Sequence, residues 1–205
     1  MLNNQSIFFN NNLTFRFNPF GGITPEELNQ IIVPKSFFPK IINLIESPTP
    51  MIIELVGKKG RGKTTHLTLL QQIFLQFPIV HLTKNNNTLT DNLFNEKIIF
   101  LDSIHHLSFQ KRIKIYRHFD KVILTTHQTR ILEYKWARQK YTNFYFRGLK
   151  KEDLQQVIEN RIQSALLDPT EEKIQINEAY LSQLIVTFKD NFREILNHLY
   201  ENFKY

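Results

Sequence analysis

The chain has 205 residues, with 26 Lys and Arg against 19 Asp and Glu, a net charge of +7 that suits nucleic acid, a nucleotide or another anionic partner. It has no cysteine, which excludes disulfides and thiolate metal sites. No apolar run approaches the ~20 residues of a membrane span and no signal-like segment opens the chain, so we expect a soluble, cytoplasmic protein that does not engage a membrane.

Residues 1–22 are polar and aromatic without a clear period and read as an arm or loop. Thr24-Pro25-Glu26-Glu27 is a helix start, with Thr24 as N-cap, Pro25 in the first position and Glu27 three residues past the cap. A second helix fits 35–46 and ends at Ser47-Pro48-Thr49-Pro50. From residue 51 the pattern alternates. Apolar strands are predicted at 51–56, 79–83, 98–102, 121–126 and 143–146, with helices between most of them, including 63–76, 109–119 and 129–140. Strands separated by helices predict an α/β fold with a parallel sheet covered on both faces. Beyond Leu149 strand signals cease. Residues 150–167 form one amphipathic helix, which Asp168-Pro169-Thr170 breaks, and further helices fit 177–187 and 190–203. The expected organisation is an N-terminal arm with helices (1–50), an α/β core (51–149) and a small helical lid (150–205).

The sequence between the first strand and its helix is the most informative. Gly57-Lys58-Lys59-Gly60-Arg61-Gly62-Lys63-Thr64 fits the phosphate-loop pattern G-x-x-x-x-G-K-[ST], with Thr65 following. Glycines leave backbone N–H groups free to point inward, and the next helix presents its positive end to the same anion. Like charges at this density repel unless an anion sits among them. Lys63 is placed to reach the β- and γ-phosphates of a nucleotide, and the Thr64 hydroxyl to ligate Mg²⁺. Asp102 closes the strand IIFLD at the carboxyl edge of the sheet, where ligands of such folds bind, and is the second candidate Mg²⁺ ligand. ATP is expected over GTP, because the chain has no N-K-x-D guanine motif.

The order of these elements resembles the AAA+ group of ATPases, over roughly residues 30 to 203. That resemblance implies a sensor-1 strand at KVILTTH, with Thr125 or Thr126 contacting the γ-phosphate or attacking water. It also implies a sensor-2 helix at DNFREILNHL, with Arg193 as the sensor, and an adenine site near Ile31 to Pro34. An arginine finger reaching a neighbouring subunit is implied too, with Arg138 the first candidate and Arg130 the second. One position departs from the family. The glutamate that normally follows the strand-end aspartate is replaced by Ser103, a poor base near neutral pH. His105 and His106 follow closely as alternative bases. Slow hydrolysis, with nucleotide binding itself the signal, is the expectation.

Basic residues recur with aromatics in QKRIKIYRHF (Lys111, Arg112, Lys114, Arg117, His118) and EYKWARQKY (Lys135, Trp136, Arg138, Lys140, Tyr141). Such a pattern fits nucleic-acid contact or a charged outer helix face. Three functional readings follow. One is an AAA+-like ATP/ADP switch that assembles into a homo-oligomer with ATP and acts on DNA or a protein client. The others are a non-catalytic scaffold that keeps ATP as a structural ligand, and a phosphate-loop kinase of small molecules.

Overall fold

The computed structural model of the chain describes residues 14–168 and 176–203. The expectations for residues 1–13, and the break assigned to Pro169 and Thr170, lie outside the described residues. The chain divides into two compact units, Pro34–Phe146 and Met1–Val33 with Arg147–Tyr205. The first 50 residues, expected from sequence to form one N-terminal segment, are therefore split between the two. The helix α1 (Pro25–Ile31) packs with the C-terminal helices, and α2 (Phe38–Glu46) belongs with the sheet.

In the sheet unit, β1 (Met51–Val56), β2 (Ile79–His81), β3 (Ile98–Asp102), β4 (Lys121–Thr126) and β5 (Tyr141–Tyr145) form a five-stranded sheet in the order β2-β3-β4-β1-β5. Every pairing is parallel. Between the strands run α3 (Lys63–Ile73), α4 (Phe109–His118) and α5 (Ile131–Ala137). All six residues of β1 are buried, as a central parallel strand requires. Side chains alternate between the faces. Ile52, Ile99, Leu101, Val122 and Leu124 pack with Ile115 and Tyr116 of α4 and Tyr134 and Ala137 of α5. Ile53, Leu55, Phe100 and Ile123 point to the other face, also fully buried, and α3 lies against β3 and β4. Phe37, at the N-cap of α2, meets Phe144 and Phe146, each with ring centroids 5.3 Å away. At the other end of α2, the Lys121 ammonium donates to the Ser47 carbonyl at the C-cap, where a cation also complements the helix dipole.

The helical unit joins α1 to α6 (Lys151–Ala165), α7 (Glu178–Phe188) and α8 (Phe192–Asn202). The predicted cap of α1 forms, with the Thr24 N–H donating to Glu27 Oε2 at 2.8 Å. Asn177 caps α7 by accepting from the Tyr180 N–H, and Asn191 caps α8 by accepting from that of Glu194. Leu154, Ile158 and Ile162 of α6 meet Tyr180, Leu181 and Leu184 of α7, Ile195 and Leu199 of α8, and Phe20. Arg161 is buried beside this core and donates to the Pro19 and Gly21 carbonyls at 3.0 and 2.9 Å. Burial lowers its pKa to about 10, and these bonds anchor the segment preceding α1 to α6.

Candidate nucleotide-binding site

β1 lies between β4 and β5, so the connection leaving β1 runs to β2 at one edge of the sheet while the one leaving β4 passes β1 to β5 at the other. A crevice at the carboxyl end of such a strand is where open α/β sheets bind ligands, and the glycine-rich loop starts there. Gly57 must lack a side chain: a Cβ would stand 2.8 Å from the Phe146 carbonyl oxygen and 3.0 Å from Phe146 Cβ. Its N–H donates to the Thr126 carbonyl at 3.2 Å, carrying the β1–β4 ladder into the loop. Gly60 and Gly62 take φ values of 81° and 80°, the left-handed region that glycine enters without steric cost. Gly62 is also the N-cap of α3, so the loop turns directly into the helix.

Two side chains brace this turn. The His66 N–H and its Nδ1–H both meet the Gly62 carbonyl, at 3.0 and 2.9 Å, while His66 Nε2 accepts from the Lys35 N–H at 3.3 Å. These partners assign the neutral Nδ1–H tautomer. Arg61 donates to the Phe146 carbonyl at 3.0 Å, which holds this cation at the side of the loop. Lys63 is buried, and its ammonium donates to the Lys58 carbonyl at 2.9 Å, so it curls over its own loop. Lys58 and Lys59 are exposed, and Thr65 is half-buried in the first turn of α3.

Asp102 and Thr64 come together beneath the loop. The Thr64 hydroxyl donates to Asp102 Oδ1 at 3.0 Å, and the Thr125 hydroxyl donates to the same oxygen at 2.6 Å. His81 Nδ1 lies 3.5 Å from Oδ2. Thr125 in turn accepts from the Ser103 N–H at 2.8 Å. A hydroxyl and a carboxylate side by side are hard oxygen donors of the kind Mg²⁺ takes, with water and phosphate completing its shell. Among the described residues no group of three or more His, Asp or Glu is placed to hold a metal ion. Ser103 itself sits at φ 61°, one of the non-glycine residues in the left-handed region. A side chain there is strained by about 1–2 kcal/mol, held by the Thr125 bond and the turn Ile104–His106 that it begins.

Strand alternation separates the two sensor candidates. Thr125 faces Asp102, whereas the Thr126 hydroxyl donates to Glu54 Oε1 at 3.0 Å on the opposite face. Glu54 is fully buried in β1 and also accepts from the Thr129 hydroxyl at 2.7 Å and the Arg130 N–H at 3.2 Å. Burial pushes its pKa up, and the hydrogen bonds hold it back only in part. In sequence this acid is no more than an interruption of an apolar strand. In the fold it clamps the turn leaving β4 to β1, next to the phosphate loop.

His127, one residue past β4, is a second site residue not singled out from sequence. Its Nδ1 donates to the Gly57 carbonyl at 3.3 Å, and its ring lies 4.7 Å from that of His105, which lies 4.2 Å from His106. The trailing histidine of KVILTTH was its only signal. Burial, then the neighbouring His106 and His127, lower the His105 pKa to about 4. The ring is therefore neutral near pH 7, and as a base it is weak.

The arginine candidates part company. Arg130 is tied to Glu133 Oε1 at 2.8 Å. Arg138 is exposed at the C-cap of α5, just before β5. Because β5 and β1 run parallel from adjacent starts, the six residues of β1 separate this edge from the loop, about 20 Å of strand. Arg138 is thus remote from its own chain's loop. Arg193 is exposed in the first turn of α8. Ile31, within the stretch expected to hold adenine, is buried at the end of α1, and the chain passes between units at Val33–Pro34. One expectation for the basic patch is corrected. Arg112 does not belong to an outer charged face but is buried, donating through Nε and Nη2 to Glu133 at 2.7 Å each.

No protein-family model matches the sequence, and no curated protein matches it. Solved structures do match. DnaA from Aquifex aeolicus bound to AMPPCP superposes with a TM-score of 0.56 at 13% identity, over 87% of this chain and 65% of that one. A point variant of Thermotoga maritima RuvB gives 0.53 at 16%, over 84% and 64%. Domain III of the Thermotoga maritima replication initiation protein DnaA gives 0.55 at 9%, over 86% and 87%. This chain therefore spans less than two thirds of the first two, and at these identities the likeness is one of fold.

Proposed function

We propose that this chain, whose fold is that of the AAA+ P-loop ATPases, is an ATP-binding switch that hydrolyses its nucleotide slowly. The observation that carries the reading is the meeting of Thr64, Asp102 and Thr125 beneath a glycine loop that holds Lys63. In this reading the loop N–H groups and the α3 N-terminus bind the phosphates, and Lys63 exchanges the Lys58 carbonyl for phosphate oxygens. Thr64 and Asp102 would hold Mg²⁺, which would supply neutralising charge to the bound phosphates. Thr125 orients Asp102 through their short bond. AMPPCP in the Aquifex DnaA structure supports an adenine nucleotide as ligand. ATP turnover with and without DNA, together with the mass of the protein in ATP and in ADP, tests the reading. A nucleotide-independent mass and no ATP binding would sink it.

Slow turnover follows from Ser103. A positioned general base contributes about 10²–10⁴ in rate, and neither the Ser103 hydroxyl nor the weakly basic His105 supplies one. Ser103→Glu is expected to raise turnover about tenfold or more, with Ser103→Ala unchanged from wild type. Fast wild-type turnover that ignores both substitutions would place the base elsewhere, with His127 the next residue to replace. Complete absence of turnover in all three proteins, with ATP still bound, would favour the scaffold reading.

Arg193 is the proposed reporter of the phosphates in the helical unit. A cation in the first turn of a helix opposes the dipole at a cost of about 0.3–1 kcal/mol, which a bound anion would reverse. Arg193→Ala is expected to shrink the preference for ATP over ADP by about tenfold, the worth of one charge-assisted contact. Its limited proteolysis near residue 149 should no longer respond to ATP. Wild-type protection in the variant would make α8 a passive cover. Arg138, exposed and remote from its own loop, is proposed to serve a second copy in an ATP-dependent homo-oligomer. The client, DNA or protein, binds outside the nucleotide site.

A further inference from the structure

We propose that the groove between α4 and α5 binds single-stranded nucleic acid, with Trp136 stacking on a base and Lys114 and Arg117 meeting the flanking phosphates. The groove has a volume of about 580 Å³ and is lined by Phe109, Ile113, Lys114, Arg117, His118 and Trp136 among others, none of them acidic. Trp136 is 61% exposed. Its ring stacks on Phe109 at 4.8 Å with 29° between the planes, so one face is held by protein while most of the indole stays in water. An exposed indole backed by a second ring is a ready stacking platform, because every base offers a π face.

The charges stand where a backbone would run. Lys114 and Arg117 form no ion pair among the described residues, in contrast to Arg112 on the inner side of the same helix. Lys114 is held with its ammonium 4.8 Å from the Phe94 ring centroid. Arg117 donates to the Trp136 carbonyl at 3.3 Å, which links the cation to the residue carrying the indole. His118 donates through Nε2 to the Phe94 carbonyl at 2.7 Å. Cations flanking a stacking platform, with no acid among them, match a single strand better than duplex DNA, whose bases are not open to stack. An acidic peptide would satisfy the lysine and arginine but leave the indole face without its natural partner.

Trp136 is the only tryptophan in the chain, so its fluorescence reports this groove alone. The full chain without nucleotide is titrated with a ~20-nucleotide oligothymidylate, following Trp136 emission and, separately, the anisotropy of a labelled strand. Leaving out ATP makes the outcome independent of the phosphate loop: failure of ATP binding would leave this inference standing, and the reverse. Saturable quenching is expected, with an affinity that falls as salt rises. Trp136→Leu should weaken binding by anisotropy about tenfold or more. Lys114→Gln with Arg117→Gln should lower the slope of log K against log salt by about 1.4, roughly 0.7 for each lost phosphate contact. If the double variant fails to fold, Lys114→Gln alone carries the test, since among the described residues its side chain makes the Phe94 ring contact and no ion pair. Strand binding by anisotropy without Trp136 quenching would overturn the proposal. So would equal quenching by polyglutamate, or quenching that tracks protein concentration and a doubled mass without any nucleic acid.

Discussion

Lys63→Ala is expected to weaken Mg-ATP binding by about 10- to 100-fold while leaving the thermal midpoint nearly unchanged. The ammonium is the only loop cation that is both buried and turned over the loop, donating to the Lys58 carbonyl at 2.9 Å. Its worth to a bound phosphate is that of a charge-assisted hydrogen bond in a partly dry site, about 1.5–3 kcal/mol. The fold should survive, because alanine is the better helix former at the start of α3 and the turn is braced by His66 and Arg61 instead. Lys58→Ala and Lys59→Ala are the controls. Both residues are exposed, so salt screens them and each substitution should cost less than about threefold. Calorimetric titration with Mg-ATP separates the cases. Wild-type affinity in Lys63→Ala would overturn the loop assignment. Equal losses in all three variants would mean that general positive charge, not a built site, attracts the nucleotide.

What could be read from the sequence was whatever depended on neighbours in the chain. The strand, glycine loop and helix from residue 51 to 73 are contiguous, and each constrains the next, so the loop and its helix were recoverable from spacing. Asp102 was recoverable because a carboxylate closing an apolar strand stands out. Features that depend on pairing across the sheet were not. Thr125 and Thr126 point to opposite faces, and only the register of β4 against β3 shows which one meets Asp102. Glu54 looks out of place in MIIELV until Thr126, Thr129 and the Arg130 N–H are brought around it from β4 and the turn beyond. The two edge strands were the least well bounded. β2 is three residues long and β5 begins at Tyr141 rather than 143, since an edge strand has one paired side and a weaker apolar signature. Arg112 illustrates the limit best. Its spacing from Ile115 and Tyr116 puts it on the buried face of α4, but the acid that makes this tolerable lies on α5.

That acid carries the second large prediction. Glu133→Ala is expected to destabilise the sheet unit by about 3–5 kcal/mol, because it leaves the buried Arg112 charge beside the Leu107 carbonyl, a neutral acceptor, with its counter-ion gone. The Arg112–Glu133 contact is bidentate, and Arg130 adds a third bond to the same carboxylate. Breaking such a pair from one side differs from removing it. Arg112→Leu combined with Glu133→Leu should recover much of the loss, since apolar groups of similar volume often replace a buried ion pair at little net cost. Urea midpoints at constant slope measure both variants. A pH series adds the sign. Burial raises the Glu133 pKa, but hydrogen bonds from Arg112 and Arg130 outweigh it and hold the carboxyl below its usual 4.5. A depressed folded value means that the contribution is complete above the usual 4.5 and fades as the pH falls through the folded value. Glu133→Gln should therefore lose stability at about pH 7 and show a flatter acid limb than wild type. If Glu133→Ala costs less than about 1 kcal/mol, or the double replacement is as unstable as the single one, the ion pair is not what joins α4 to α5. The joint would then rest on Ile115, Tyr116, Tyr134 and Ala137 alone.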